Sequence, residues 1–339
     1  MIGTCMRLGV VGTALAVSVA LGGCSSLSEN ATGGGEYPGD KPVTFLMPYT
    51  AGGSSDLLVR ALQPYFSEKL GTDVVVENKV GAGGQVALTE LANANPDGYT
   101  IGLTNLPSSL AYVDPDKKAS YKRDSFQPLG AINRFRGIVA ASANRGWEDL
   151  GAFVAEAKSK PGVLTVGVDG LTGDDHIAAL KFMQATGTDL KVVPFDSGSE
   201  KLIALVGGQI DVSLGTVPTF KAQLDTGEVR ALAALDEEPI PGLESVPTAR
   251  SLGYDVLWDS YNVVTAPAGL DPDVQKKLED ALRQASEAAA ADPAFVDKME
   301  AGGYVFTYED AAWVDDTWAS LETEWKQLVP LARQQGQGR

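Results

Sequence analysis

The sequence predicts an α/β fold built in two halves, and three observations carry that reading. The chain has 339 residues, 44% of them hydrophobic, enough for a large core and for two domains of ordinary size. Apolar strand-like runs alternate with helical patterns, which argues for a parallel sheet with crossover helices. That alternation occurs once in residues 41–105 and again in residues 135–235.

In the first half, "KPVTFLMPYT" (41–50) reads as a buried strand. Leu57, Leu58, Ala61, Leu62, Tyr65, Phe66 and Leu70 then recur at helical spacing, with Gly71 placed to end the helix. "DVVVEN" (73–78) is the next strand, "GAGGQVALTELANA" a glycine turn into a helix, and "GYTIGLTN" (98–105) a third strand. In the second half, "FRGIVAAS" is a strand and "WEDLGAFVAEAKSKPG" a helix stopped by Pro161-Gly162. "VLTVGV" (163–168) leads into "DGLTGDDHIAALKFMQATG", a loop and helix with Gly187 after it. "KVVPF", "IDVSLG" and "VRALAAL" read as strands, "SEKLIALVGG" and "FKAQLDTG" as helices. The end is helical. "DPDVQKKLEDALRQASEAAAA" starts with Asp271 as N-cap and Pro272 in the first turn. Val314, Trp318, Leu321, Trp325 and Leu328 form an apolar stripe, so the tryptophans are expected in the core. The chain is expected to cross between the halves near 139–142 and near 255–262.

Residues 1–23 read as an export leader: Arg7, an apolar run from Leu8 to Ala20, then small residues. The run is too short to span a bilayer comfortably. It ends in Leu21-Gly22-Gly23-Cys24, which resembles the lipobox of bacterial lipoproteins and implies cleavage before Cys24 and its lipidation. An ordinary secretory signal with an incidental cysteine is the plainer alternative. "SSLSENATGGGE" has linker composition, so residues 24–36 are expected to be a tether. Cys5 and Cys24 are the two cysteines, so the mature domain is expected to hold no disulfide.

The formal net charge of −17 argues against a nucleic-acid partner, because phosphate binding needs clustered Lys and Arg. One histidine and no usable cysteine argue against a metal site. No cofactor is expected.

Three strand-to-helix loops could hold a ligand, since ligands of open parallel sheets sit beyond the carboxyl ends of strands. In "MPYTAGGSSDLL" (47–58), Gly52 and Gly53 permit close backbone approach, and Ser54, Ser55 or Asp56 can cap the helix. Free N–H groups there, with the helix dipole, make an anion site that needs no basic side chain. Plain capping explains one of the polar residues but not both glycines. "DGLTGDDH" (169–176) and "PFDSGSEK" (194–201) are similar loops in the second half, and the three would close around a small ligand.

"YPGDKPVTFLMPYTAGGSSDLLVRAL" resembles the start of the substrate-binding proteins of tripartite tricarboxylate transporters, the Bug family. The resemblance runs through "VVVENKVGAGG", "PDGYT", "VGVDGLTGDDHIAALKFMQATG", "VPFDSGSEKLIALVGGQIDVSLG", "GEVRALAAL", "VPTARSLGY" and "APAGLDPDV". It implies a type II periplasmic-binding-protein-like fold: two α/β lobes with a ligand cleft between them, lobe 1 at 37–140 and 261–339, lobe 2 at 141–260. It implies hinge closure on a small carboxylate, held by backbone amides, hydroxyls and water. Carried over by motif position, the expected ligand-binding residues are Tyr49, Thr50, Ala51, Gly52, Gly53, Ser54 and Asp56 from the first loop. Asp169, Gly170, Leu171, Thr172, Gly173 and His176 come from the second, and Phe195, Asp196 and Asp211 from the third loop and the strand beyond it. Tyr261 is also expected to bind the ligand; it stands, with Asn262 and Val263, where the family often has Trp-x-Gly, and Phe195 replaces a usual Tyr. The expected partners are the large and small integral membrane subunits of the transporter and, through Cys24, the outer face of the cell membrane. The receptor is expected to be a monomer and not an enzyme.

Other readings are weaker. "VGAGGQ" lacks the last glycine of a dinucleotide fingerprint, Val86 standing there. A serine hydrolase would need His176, the single histidine, as base for Ser54, Ser55, Ser197 or Ser199, and no Gly-x-Ser-x-Gly elbow occurs. The same cleft could serve an ATP-driven importer or a sensor. Arg134 and Arg136 near the first crossing could reach a second carboxylate, or could simply solvate the hinge.

Overall fold

The computed structural model describes residues 37–195 and 198–337. The leader 1–23, Cys24, the tether 24–36 and Asp196 lie outside the described residues. In chain order, β1 (Val43–Met47), α1 (Ser54–Leu70), β2 (Val74–Asn78), α2 (Gln85–Ala92), β3 (Thr100–Leu106) and β4 (Phe126–Ser142) come first. Then follow α3 (Leu150–Ser159), β5 (Thr165–Val168), α4 (Asp174–Thr186), β6 (Lys191–Pro194), α5 (Gly198–Val206), β7 (Val212–Thr216), α6 (Val217–Thr226) and β8 (Val229–Ala234). The chain ends with β9 (Asp259–Pro267), α7 (Pro272–Ala290), α8 (Pro293–Ala301), β10 (Val305–Glu309) and α9 (Ala311–Gln337).

β1 is apolar except for Thr44 because it pairs in parallel with β2 on one side and β3 on the other, with helices over both faces. α1 buries Leu58, Leu62, Phe66 and Leu70, one face of a helix, and Gly71 ends it in the left-handed conformation at φ +82°. α7 begins as expected, with Asp271 accepting from the Asp273 amide and Pro272 in the first turn. Trp318 and Trp325 of α9 are buried, packed with Leu106, Phe126 and Val263.

The sheet runs β2-β1-β3-β9-β4-β7-β5-β6, with β8 and β10 also on β4. It is mixed rather than parallel: β9 lies between β3 and β4 and is antiparallel to both, while β5 pairs in parallel with β6 and β7. β4 carries both halves. Residues 126–136 pair with β9, and residues 137–142 pair with β7 and β8. The partner of β4 changes from β9 to β7 and β8 at Arg136/Gly137, and the chain passes this point again at Trp258/Asp259. The two passes lie so close that a Cβ on Gly137 would stand 2.5 Å from Trp258 Cε3, so glycine is required there. Arg134 reaches Asp259 at 2.7 Å and Asp236 at 3.4 Å, and Arg136 reaches Asp236 at 3.4 Å. Both arginines therefore meet Asp236, just beyond β8, and Arg134 also meets Asp259 at the start of β9.

Candidate functional site

The first loop follows β1. Tyr49 is half-buried, Thr50, Ala51 and Gly52 are exposed, and Gly52 takes φ +80°. Gly53 is the N-cap of α1 and offers no side-chain cap. The capping expected from Ser54, Ser55 or Asp56 takes a different form. Asp56 reaches back from the first turn and accepts from the Gly52 amide at 2.9 Å, from Arg60 and from Asn78 Nδ2. Burial alone would raise this carboxyl, but those bonds outweigh it and hold it below the usual aspartate range. Ser55 Oγ donates to Asn262 Oδ1 of β9 at 3.1 Å, and the Ser54 carbonyl accepts from Tyr304 Oη at 2.9 Å. Among the described residues, the Ser54 and Ser55 amides have no protein acceptor.

The second loop follows β5. Gly170 lies at φ +83° and Thr172, unusually for a non-glycine residue, at φ +59°. Two bonds hold Thr172 there: its amide donates to His176 Nδ1 at 2.9 Å, and its Oγ1 donates to Asp114 Oδ2 at 2.6 Å. Gly173 is the N-cap of α4, and a Cβ on it would stand 3.0 Å from the Asp169 carbonyl. His176 is fully buried; Nε2 lies 3.3 Å from Gln335 Oε1 of α9, and burial lowers its pKa. Its ring nitrogens meet the Thr172 amide of the loop and Gln335 of α9, not a serine hydroxyl. Leu171 is exposed.

The third loop packs against the second. The Phe195 amide donates to the Val168 carbonyl at 2.9 Å, and the Phe195 ring covers Gly167. Lys201 of α5 is buried and sends its ammonium under the second loop, 2.5 Å from Asp175 Oδ2 and 3.0 Å from Asp169 Oδ2. Asp175 Oδ2 also accepts from the Asp169 amide at 2.6 Å. Burial raises the Asp169, Asp174 and Asp175 carboxyls, with Lys201 counteracting. Burial disfavours the Lys201 charge, but Asp175 and Asp169 more than compensate.

The first and second loops meet at Ser108, in the turn Ser108–Val113 after β3. Ser108 lies close to both the Tyr49 phenol and the Asp174 carboxyl. Burial, and then Asp174, push the Tyr49 phenol up. The structure gathers Tyr49, Gly52, Gly53, Ser54 and Asp56 at the start of α1, and Asp169, Gly170, Thr172, Gly173 and Phe195 about the start of α4. Asp211 does not join them. It lies at the opposite end of β5, accepting from the Thr165 amide and Oγ1 at 2.7 Å and pairing with Arg145. Tyr261 lines a separate cavity of about 250 Å³ between α4, α9 and the start of β9, with its hydroxyl on Asp259 Oδ2. Sequence reading missed Ser108, Asp114, Asp174 and Lys201. Asp174 stood in the quoted "GDDH", and a lone lysine among apolar helix positions was the signal for Lys201.

A mixed sheet shared by two halves, with a glycine-capped helix start in each, is the architecture of a periplasmic-type solute-binding protein. A model of the tripartite tricarboxylate transporter family receptor matches residues 58–328, and the chain belongs to that family. BugT of Bordetella pertussis is 27% identical over 76% of this chain and 80% of its own length. A Cupriavidus necator protein of the gbd 5′ region is 31% identical over 73% of this chain and 75% of its own. MatC from Rhodopseudomonas palustris, solved with bound malate, superposes with a TM-score of 0.74 at 25% identity, over 86% of this chain and all (100%) of that one. The periplasmic binding protein BugD gives 0.73 at 26% identity, over 87% of this chain and 98% of that one.

Proposed function

We propose that this receptor is anchored to the outer face of the cell membrane through lipid on Cys24, captures a small carboxylate, and delivers it to the large and small membrane subunits of a tripartite transporter. The lobes are 37–140 with 261–339, and 141–260, turning about the Arg134–Asp259 crossing. Capture needs no cofactor and no covalent step. Ligand contacts to both lobes stabilise the closed state over the open one.

One observation carries the carboxylate reading. α1 starts on a glycine N-cap with no side-chain cap, so the Ser54 and Ser55 amides and the positive end of the helix dipole are left for an anion. Such a site works on an acidic protein because its field is local. The malate bound to MatC and the family's name agree with it. No helix of the described residues is long and apolar enough to cross a membrane, so residence at the membrane rests on Cys24.

Thermal-shift screening of the mature domain against di- and tricarboxylates, amino acids and aromatic acids tests capture. Stabilisation by at least one carboxylate is expected, and none across the panel would overturn it. Cys24→Ala should move the protein from the membrane to the soluble fraction; retention at the membrane would refute the anchor.

A further inference from the structure

We infer that the ligand of this receptor carries a cationic nitrogen at the end opposite its carboxylate, and that Asp174 selects it. This deepens the proposed carboxylate capture and rests on it. The two glycine-capped helix starts are chemically unlike. At α1, the one nearby carboxylate, Asp56, is spent on the Gly52 amide, Arg60 and Asn78, and the Ser54 and Ser55 amides remain. At α4, two consecutive carboxylates, Asp174 and Asp175, occupy the first turn. The chain has filled this helix start with its own negative charge.

The charge there is not balanced. Asp169, Asp174 and Asp175 lie together, and Lys201 is the cation among them. Lys201 is committed to Asp169 and Asp175, at 3.0 and 2.5 Å. Among the described residues no cation pairs directly with Asp174; Lys201 acts on it from further off, and Tyr49 and Ser108 are its neighbours toward the first loop. A second acceptor is also unspent: Asp175 Oδ1 is buried, has no hydrogen-bond partner, and lies beside the Gly173 N-cap. A carboxylate brought against this end meets like charge in a desolvated site. An ammonium meets an unpaired carboxylate, and the charge-assisted bond is of the strong kind. Carboxylate at α1 and ammonium at α4 describe a zwitterion rather than a dicarboxylate.

Isothermal titration of the mature domain with ω-amino acids of three to six carbons, each against the α,ω-dicarboxylate of equal length, tests the inference. The best ω-amino acid should bind at least about tenfold more tightly than its dicarboxylate partner. Asp174→Asn should cut that affinity about tenfold or more and narrow the ratio. Tighter binding of the dicarboxylate, or an unchanged ratio in Asp174→Asn, overturns the inference and leaves carboxylate capture standing. No binding by either series, together with a blank thermal-shift panel, overturns both. The unsubstituted protein's ratio decides by itself, so a variant that folds poorly shields nothing.

Discussion

Thr172 Oγ1 donates to Asp114 Oδ2 at 2.6 Å, and this bond joins the cleft loop of one half to the turn after β3 in the other. It also holds a non-glycine residue at φ +59°. Asp114 is buried, with the Asp116 amide and the more distant Arg333 as its further partners.

Removing the hydroxyl should therefore cost more than a surface bond. Thr172→Ala leaves the buried carboxylate short of a donor, and urea unfolding should show a loss of about 1–3 kcal/mol. A change below about 0.5 kcal/mol, the usual range for surface substitutions, would show that the contact holds nothing.

Lys201→Met should destabilise the fold by about 3–5 kcal/mol, because it leaves buried carboxylates with no counter-charge. Burial already raises the Asp169 and Asp175 carboxyls, so lowering the pH protonates them in the folded state first. The loss should be smaller at pH 5 than at pH 8. Equal losses at both would contradict this account.

His176 gives a pH dependence of opposite sign. Burial holds its folded pKa below the ordinary 6.5, so as the pH falls the unfolded chain takes the proton first. Its contribution is complete above pH 6.5 and declines below it. His176→Asn can still accept from the Thr172 amide but does not titrate. The melting temperature should fall less between pH 7 and pH 5 in this variant than in the parent; parallel curves would assign the effect elsewhere.

Gly53→Val should weaken carboxylate binding by about tenfold or more, roughly 1.4 kcal/mol, while the fold persists. Gly53 has an ordinary φ of −70°, so the backbone tolerates the change, but a Cβ already stands 3.2 Å from the Thr50 carbonyl and a larger side chain covers the α1 amides. Retained affinity would place the carboxylate elsewhere.

Much of the fold was legible because periodicity reports local structure. The face of α1, the Gly71 stop and the Asp271-Pro272 start of α7 follow from spacing and caps. The miss at α8 and β10 was avoidable: Asp292-Pro293 repeats the start of α7, with Asp292 accepting from the Ala294 amide, and Gly302-Gly303 precedes an aromatic strand. The antiparallel crossing strands carried no local sign, since an apolar run reads alike in either direction. In the site, glycine turns were visible, but Asp211 was misplaced because a strand's two ends look the same in sequence.

The sequence by itself determined the order of strands and helices, the glycine-capped start of α1 and the acid-rich start of α4. These depend on residues a few positions apart. Only the tertiary structure decided that β4 belongs to both halves, that Lys201 lies beneath Asp169 and Asp175, and that Ser108 stands between Tyr49 and Asp174. The last two relationships join residues 26 to 66 positions apart, and desolvation, which governs their charges, exists only once the chain has packed.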